Sequence, residues 1–126
     1  MAMFVIVVCG LISAASLRML STTQLSNSFE IQSARAFFAA ESGMQREMER
    51  LFPLGASASA SCAAATGGVS WSMNFASSVD GFKNCSAAIT CNDLSADGEI
   101  FYRINSIGTC RNASRSLSMT ARSVGS

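Results

Sequence analysis

The sequence predicts an α+β fold, in which a long N-terminal helix packs on an antiparallel sheet of about four strands stapled by two disulfides. Two observations predict the helix: residues 1–17 carry no charge, and a stretch with helical periodicity follows them as far as Pro53. A third observation, the alternation of apolar and polar residues beyond residue 68, predicts the sheet. In a chain of 126 residues this leaves room for one small domain with a thin core.

Residues 1–20 are expected to form the transmembrane half of the helix. The uncharged run 1–17 falls slightly short of the ~20 apolar residues of a spanning helix, but Met19 and Leu20 extend it and Arg18 can reach the interface with its long side chain. A signal peptide would carry a basic segment before its apolar run, and this run has none. Arg18 is the only charge that flanks the run, and it lies on the side of the cysteine-containing head, which is expected in the periplasm. This conflicts with the positive-inside rule, so we expect the natural helix to begin upstream of Met1, with a basic segment there.

Small residues within the apolar run indicate close helix packing. Gly10 and Ala14 are four residues apart and therefore share one face of a helix. Small side chains on such a face let two helix backbones approach each other. We expect this face to pack against neighbouring helices, although small residues are also simply tolerated in spanning helices. Cys9, in the same run, is expected to be an apolar filler.

Residues 21–53 are expected to form the amphipathic half of the helix. Its packing face is predicted from apolar residues at spacings of 7, 4 and 3, which are Phe37, Met44, Met48 and Leu51. The charged residues are placed on the other faces: Arg35, Glu41, Arg46, Glu47, Glu49 and Arg50. Gly43 is expected to bend the helix mildly. The polar segment 21–28 could be helical or could melt locally, because its hydroxyl and amide groups compete for the backbone.

Beyond the helix, residues 54–68 are expected to be a small-residue connector and residues 69–126 a periplasmic β head. Alternation predicts four half-buried antiparallel strands, within residues 69–75, 85–91, 100–104 and 117–121. Trp71 and Tyr102 occupy apolar strand positions, where an aromatic residue is more often part of the core than of a ligand platform.

The cysteines predict how the head is stapled. Four of the five lie in the head, at spacings of 23, 6 and 19 residues, without a CxxC pair and in a chain without histidine. Disulfides in an oxidising compartment are therefore favoured over a zinc site. If Asp97-Gly98 closes a two-residue hairpin, Cys85 lies opposite Cys110, and Cys62 and Cys91 are left for each other. All three connectivities remain formally possible.

Residue types that carry chemistry are largely missing. The chain has no histidine, GxSxG, Walker loop or HExxH motif, and its formal charge of +1 comes without a basic cluster. We therefore expect no catalytic site, no cofactor, no bound metal and no nucleic-acid partner. Asp93, Asp97 and Glu99 could offer oxygen ligands to calcium, but an acidic β-turn explains the same residues.

A resemblance to a known family rests on three segments of the first 52 residues. These read FVIVV at 4–8, LRML at 17–20 and SARAFFAAESGM at 33–44. They resemble the stem of pilin-like proteins, and most of all the MSHA pilus biogenesis protein P family, with PilX-type minor pilins and the large type II secretion pseudopilin as relatives. The resemblance implies a leader cut by a prepilin peptidase and a helix that packs into a filament core. Val5 stands where the family usually has glutamate, which fits a minor subunit or, equally, a start shifted from the natural one.

These inferences lead to an expected function. The chain is expected to be a minor pilin or pseudopilin-like structural subunit in assembly of a type IV, MSHA-like pilus, and not an enzyme. Its partners would be other pilin-like subunits, the pilus assembly machinery and, before assembly, inner-membrane lipid around a single span. The alternative is a tip adhesin or ligand-binding periplasmic domain, with residues 82–83 and 93–99 as its candidate contacts. A membrane-anchored enzyme is disfavoured by the missing motifs.

Overall fold

The computed structural model describes residues 2–75 and 79–123. The chain divides into two compact units, Met1–Ile31 and Gln32–Ser126, which are described separately below. The described elements run in this order: α1 (Ala2–Leu51), α2 (Cys62–Thr66), β1 (Ser70–Asn74), β2 (Cys85–Ala96), β3 (Glu99–Cys110) and β4 (Ala113–Ser123).

The second unit confirms the α+β fold, with the helix packed on a four-stranded antiparallel sheet of order β1-β2-β3-β4. Strands β2 and β3 are longer than the alternating segments that predicted them. They continue to a two-residue turn in which Asp97 and Gly98 have φ angles of 53° and 81°. Positive φ at both positions belongs to a type I′ turn, whose twist matches that of the flanking strands. The predicted register follows from this turn, with Ala96 opposite Glu99.

Both predicted disulfides are present. Cys85 pairs with Cys110 directly across β2 and β3, at a Cα–Cα distance of 4.1 Å. Cys62 pairs with Cys91 at 5.7 Å and ties the connector to the sheet. Of the three formal connectivities, the fold therefore selects the one that the hairpin register predicted.

At one end of the helix–sheet interface, small residues bring the two backbones together. Ala36, Ala39 and Ala40 are completely buried there. A Cβ atom on Gly108 of β3 would lie 2.0 Å from the Ala36 carbonyl oxygen, so only glycine fits. Gly43 is also closely packed, but a Cβ there would meet side-chain atoms, Ile89 Cδ1 at 2.8 Å and Ser106 Oγ at 2.9 Å. Gly43 was expected to bend the helix; in the structure α1 continues through it and the glycine is a packing contact.

The other end of the interface is filled by large side chains. Met44 and Leu51 of α1 pack there with Ile89, Tyr102 and Ile104 of the sheet, and Met48 is partly buried against this cluster. Phe37 departs from the predicted packing face, because 42% of its side chain remains exposed. The buried face follows the small residues at 36, 40 and 43, and Phe37 lies one position, about 100° of helix rotation, away from it.

The connector is anchored at several points. Ser61 caps α2 by accepting a hydrogen bond from the Ala64 amide at 3.1 Å. The Asp93 side chain accepts one from the Cys62 amide at 2.9 Å. The Tyr102 hydroxyl donates to the Ser59 carbonyl oxygen. Asp93 thus stabilises the connector, a contact that its position in an acidic turn did not suggest.

In the first unit, the described residues 2–31 are helical and none of them is buried. The segment 21–28, for which the sequence left melting open, is helical as well. Taken by length and composition, α1 contains a stretch that could cross a membrane. This is weak support for an anchor, because a signal sequence near an N-terminus meets the same criterion.

Candidate functional site

Two features of the structure are candidates for function: the apolar surface of residues 2–31, and a groove beside the last turns of α1. The exposed large apolar residues of the first are Met3, Phe4, Val5, Ile6, Val7, Val8, Leu11, Ile12, Leu17, Met19, Leu20, Leu25, Phe29 and Ile31. Surfaces of this extent are rare on soluble monomers and mark contact with lipid or with other proteins.

Most hydroxyl groups of this segment are satisfied within the helix. The hydroxyls of Ser13, Ser16, Thr22 and Thr23 each donate to the carbonyl oxygen four residues earlier, at 2.8–3.0 Å. Ser21 and Ser28 do the same over three residues. Hydroxyls bonded in this way can enter an apolar environment without an unpaired polar group. The segment is therefore suited to burial despite its serines and threonines.

The structure places Gly10 and Ala14 on the surface of this segment. A Cβ on Gly10 would have no neighbour within 4 Å, and Ala14 is exposed. The chain itself thus offers no partner to the small-residue face among its described residues. Their expected packing against neighbouring helices stays a prediction.

The second feature begins with Glu47, which is fully buried between α1 and the sheet. Its Oε2 accepts a hydrogen bond from the Trp71 Nε1–H at 2.6 Å. Its Oε1 has no hydrogen-bond partner among the described residues. Glu47 was expected on an outward, charged face, and the position at which the structure places it corrects that expectation. The pair fixes the plane of the Trp71 ring.

Arg50 is ordered by the same ring. Its guanidinium carbon lies 4.3 Å from the centroid of Trp71, a distance at which a cation–π interaction stabilises the contact. Arg50 was expected to face solvent and is instead partly buried. A guanidinium stacked on a ring keeps its N–H donors in its own plane, free for an acceptor. The contacts from Glu47 to Trp71 and from Trp71 to Arg50 therefore hold the Arg50 guanidinium in a defined orientation.

Arg50 lies at the wall of a groove of about 830 Å³. Ser42, Gln45, Arg46 and Glu49 of α1 form the rest of its polar wall, while Met73 of β1 and Phe75, just after that strand, supply apolar surface. Its charged groups are thus two arginines and one glutamate. Arg46 makes no hydrogen bond or ion pair with any residue that the structure describes, so its charge is available to a partner.

The other predicted contact residues are dispersed. Phe82 stacks on Phe75 with ring centroids 5.0 Å apart, next to the core cluster at the Cys85–Cys110 end. Glu99 pairs with Arg122 at 3.3 Å. Asp97 is exposed in the turn. Across residues 2–75 and 79–123, no group of three histidine, cysteine, aspartate or glutamate side chains is close enough to hold a metal ion.

Sequence reasoning missed the role of Glu47. Glu47 has helical spacing with positions 36, 40, 43 and 51, but only the burial of these residues in the structure shows that they form the packing face. The face was instead assigned from the largest apolar residues.

No protein-family model, no curated protein and no solved structure matches this chain.

Proposed function

We propose that this chain is a minor pilin or pseudopilin-like structural subunit that takes part in assembly of a type IV, MSHA-like pilus. Before assembly, residues 2–20 hold it in the bacterial inner membrane with the β head in the periplasm. After assembly, the same helix packs among the helices of other pilin-like subunits. The two disulfides support an oxidising compartment for the head.

One observation carries the proposal: residues 2–31 form a helix with an extended apolar surface and no buried residue. Each Å² of that surface exposed to water costs about 25 cal/mol. An environment outside this chain must therefore cover it. The intrahelical hydroxyl bonds and the open small-residue face at Gly10 and Ala14 suit lipid first and closely packed helices later.

The resemblance of the stem to pilin-like proteins supports the same reading. It accounts for an apolar helix that leads into an amphipathic one, which a simple tether does not need. A tether needs only bulk hydrophobicity, whereas a filament core also needs a defined shape.

The proposal is tested by changing Gly10 and Ala14 to leucine in the full-length chain. The change raises hydrophobicity, so membrane insertion should persist, while bulky side chains should block close helix packing. We expect piliation to fall at least tenfold, measured as surface pilin per cell, with the protein still in the membrane fraction.

The matched control is Val8→Leu with Ile12→Leu, which the helical repeat places on the opposite side of the segment. This pair also ends in two leucines but leaves the small-residue face unchanged, and piliation should stay near the parent level. Normal piliation with the Gly10 and Ala14 variant would leave only a membrane-anchored periplasmic domain.

A further inference from the structure

The groove beside Arg50 has the properties of a carboxylate-binding site. Arg50 is held on Trp71, and Trp71 is held by Glu47, so the guanidinium loses little conformational freedom when an anion binds. Arg46 lies on the same wall without a partner among the described residues. Glu49 offsets one of these charges, which leaves the groove with a net charge of +1 and an apolar floor of Met73 and Phe75.

The tip of the β2–β3 hairpin has the complementary properties. Asp97 is exposed there and forms no hydrogen bond or ion pair with the described residues. Leu94 lies three positions before it with 68% of its side chain exposed, and Phe101 is its neighbour across the hairpin. The tip thus presents a free carboxyl group beside apolar surface, as the groove presents cations beside an apolar floor.

The chain cannot place its own tip in its own groove. The groove residue Met73 pairs with Ala87, and Asp97 lies ten positions further along the hairpin. At a rise of about 3.3 Å per residue, this separates the two by roughly 30 Å. β1 begins at Ser70, opposite Thr90, so the hairpin continues beyond that strand and its tip is open to a neighbour.

We propose that the groove receives the β2–β3 hairpin tip of a second copy of this chain, with Asp97 of one copy bound to Arg50 and Arg46 of the next. A contact between two different surfaces is heterologous, and repetition of such a contact builds rings or filaments. The inference rests on the proposed function and deepens it, since it names a partner and a contact for the head.

Cysteine cross-linking of the full-length protein in its native membrane tests the contact. Both copies carry Cys9→Ala, because Cys9 is a free, exposed thiol. One copy also carries Gln45→Cys at the groove and a differently tagged copy carries Ala96→Cys at the tip, and both are exposed to a mild oxidant. We expect a disulfide-linked species that contains both tags. The control replaces Ala96→Cys with Thr109→Cys, an exposed position at the opposite end of β3, and should give at most a tenth of that product. Equal yields from the two pairs would overturn the proposal.

The charge contribution is tested with Asp97→Asn and Arg46→Gln in the same assay. Asparagine tolerates the positive φ of the turn, so the tip should keep its shape. Each change should lower the cross-linked fraction about two- to fivefold, and the double variant should fall no further than the single ones, because the two side chains act on each other. Independent, multiplying losses, or no loss at all, would contradict the pairing.

The result is separable from the proposed function. If the cross-link fails while the Gly10 and Ala14 variant still abolishes piliation, the filament subunit stands and the tip contact is wrong. If the tip cross-links while the Gly10 and Ala14 variant assembles normally, the head self-associates without a pilus role for the helix.

Discussion

Residues 2–31 and 32–51 belong to the same α-helix, yet their surroundings are opposite. The first segment has no buried residue. The second has eight: Ser33, Ala36, Ala39, Ala40, Gly43, Met44, Glu47 and Leu51. The comparison shows that helical conformation and helix stabilisation are separate matters. The second segment is stabilised by the sheet that it covers, whereas the first has no such packing among the described residues, and isolated helices are marginal in water.

The glycines of the two regions have different surroundings. Gly10 has open space around it, while Gly43 and Gly108 each lie where a Cβ would collide with a neighbour. Gly108 thus serves a contact within the chain, while the proposed function assigns Gly10 to contacts with other subunits. Substitutions at these positions separate assembly from folding.

The largest effect is expected from Gly108→Ala. Its Cβ would lie 2.0 Å from the Ala36 carbonyl oxygen and 2.5 Å from the Ala40 amide nitrogen, both backbone atoms that cannot rotate away. We expect a loss of about 4 kcal/mol or more in the free energy of unfolding, a cost in the range that marks severe core defects. Denaturation of the detergent-solubilised protein, followed by the fluorescence of its single tryptophan, measures it.

Gly10→Ala is the matched control for that experiment. It adds the same methyl group in open space and raises helix propensity by about 1 kcal/mol, so the head should unfold at the denaturant concentration of the parent. If Gly108→Ala also melts like the parent, the close approach of α1 and β3 is wrong.

The second effect concerns the two disulfides, which staple opposite ends of the interface. They close loops of similar size, with sequence separations of 29 and 25, so each should contribute about 3.5 kcal/mol through loop entropy. Cys62→Ser with Cys91→Ser should additionally expose the connector to protease, because that bridge ties it to the sheet.

Cys85→Ser with Cys110→Ser is the comparison, since these residues face each other within one hairpin. It should cost similar stability without exposing the connector. Proteolysis at native conditions, with fragments identified by mass spectrometry, distinguishes the two pairs. Equal cleavage of residues 52–61 in both would show that the hydrogen bonds of Asp93 and Tyr102 suffice to hold the connector.

The third effect tests the buried polar pair. Trp71→Phe removes the indole donor, so that neither carboxylate oxygen of Glu47 has a hydrogen bond among the described residues. This should lower the free energy of unfolding by about 1–3 kcal/mol. In a Glu47→Leu background the same change should cost at least 1 kcal/mol less, because no acceptor is left unpaired. Pulse proteolysis measures both without the tryptophan signal.

Glu49→Gln serves as the control, since Glu49 lies two residues after Glu47 on α1 and is exposed. It should change stability by less than about 0.5 kcal/mol. Equal costs of Trp71→Phe in the two backgrounds would show that the indole contributes by packing alone.

The smallest effect is a pH dependence. Burial, and then the nearby Asp93 carboxylate, raise the pKa of Tyr102 above its usual value. The folded state therefore holds the phenolic proton more tightly than the unfolded chain. The stability that this adds is present below about pH 10 and is lost as the pH rises through the folded pKa. Tyr102→Phe should flatten the fall in stability above pH 10 and cost about 1 kcal/mol at pH 7, through the lost bond to Ser59. Alkaline unfolding curves that stay parallel to the parent's would contradict this assignment.

The hairpin shows why part of the fold was predictable. A two-residue turn at Asp97-Gly98 sets the register of twelve residue pairs, and that register brings Cys85 opposite Cys110. The information is local, because the turn type and the alternation of each strand are written in consecutive residues. The predicted long helix and strands share this property, whereas the Cys62–Cys91 pair followed only by elimination, and the fold class was accordingly recoverable from the sequence.

The face of the helix that meets the sheet was harder to predict. Large apolar residues suggested Phe37 and left Glu47 outside, whereas the sheet approaches along the smallest side chains. Which face is buried depends on how near two backbones can come, and that distance is set by Gly108, about seventy residues from Ala36 in the chain. Burial of Glu47 similarly depends on a hydrogen bond from Trp71, which lies on β1.

The sequence by itself determined the long helix, the four strands, the Asp97-Gly98 turn and the β2–β3 register that places Cys85 opposite Cys110, because each follows from short-range patterns and from the fixed geometry of a hairpin. Only the tertiary structure decided the close helix–sheet contact at Gly108, the burial of Glu47 and the ordering of Arg50 over Trp71. These contacts join residues distant in the chain, and their identity depends on side-chain volume and on which polar partner reaches a buried atom. The periodicity of one segment does not show which residues of another segment will pack against it or which polar group will reach a buried atom.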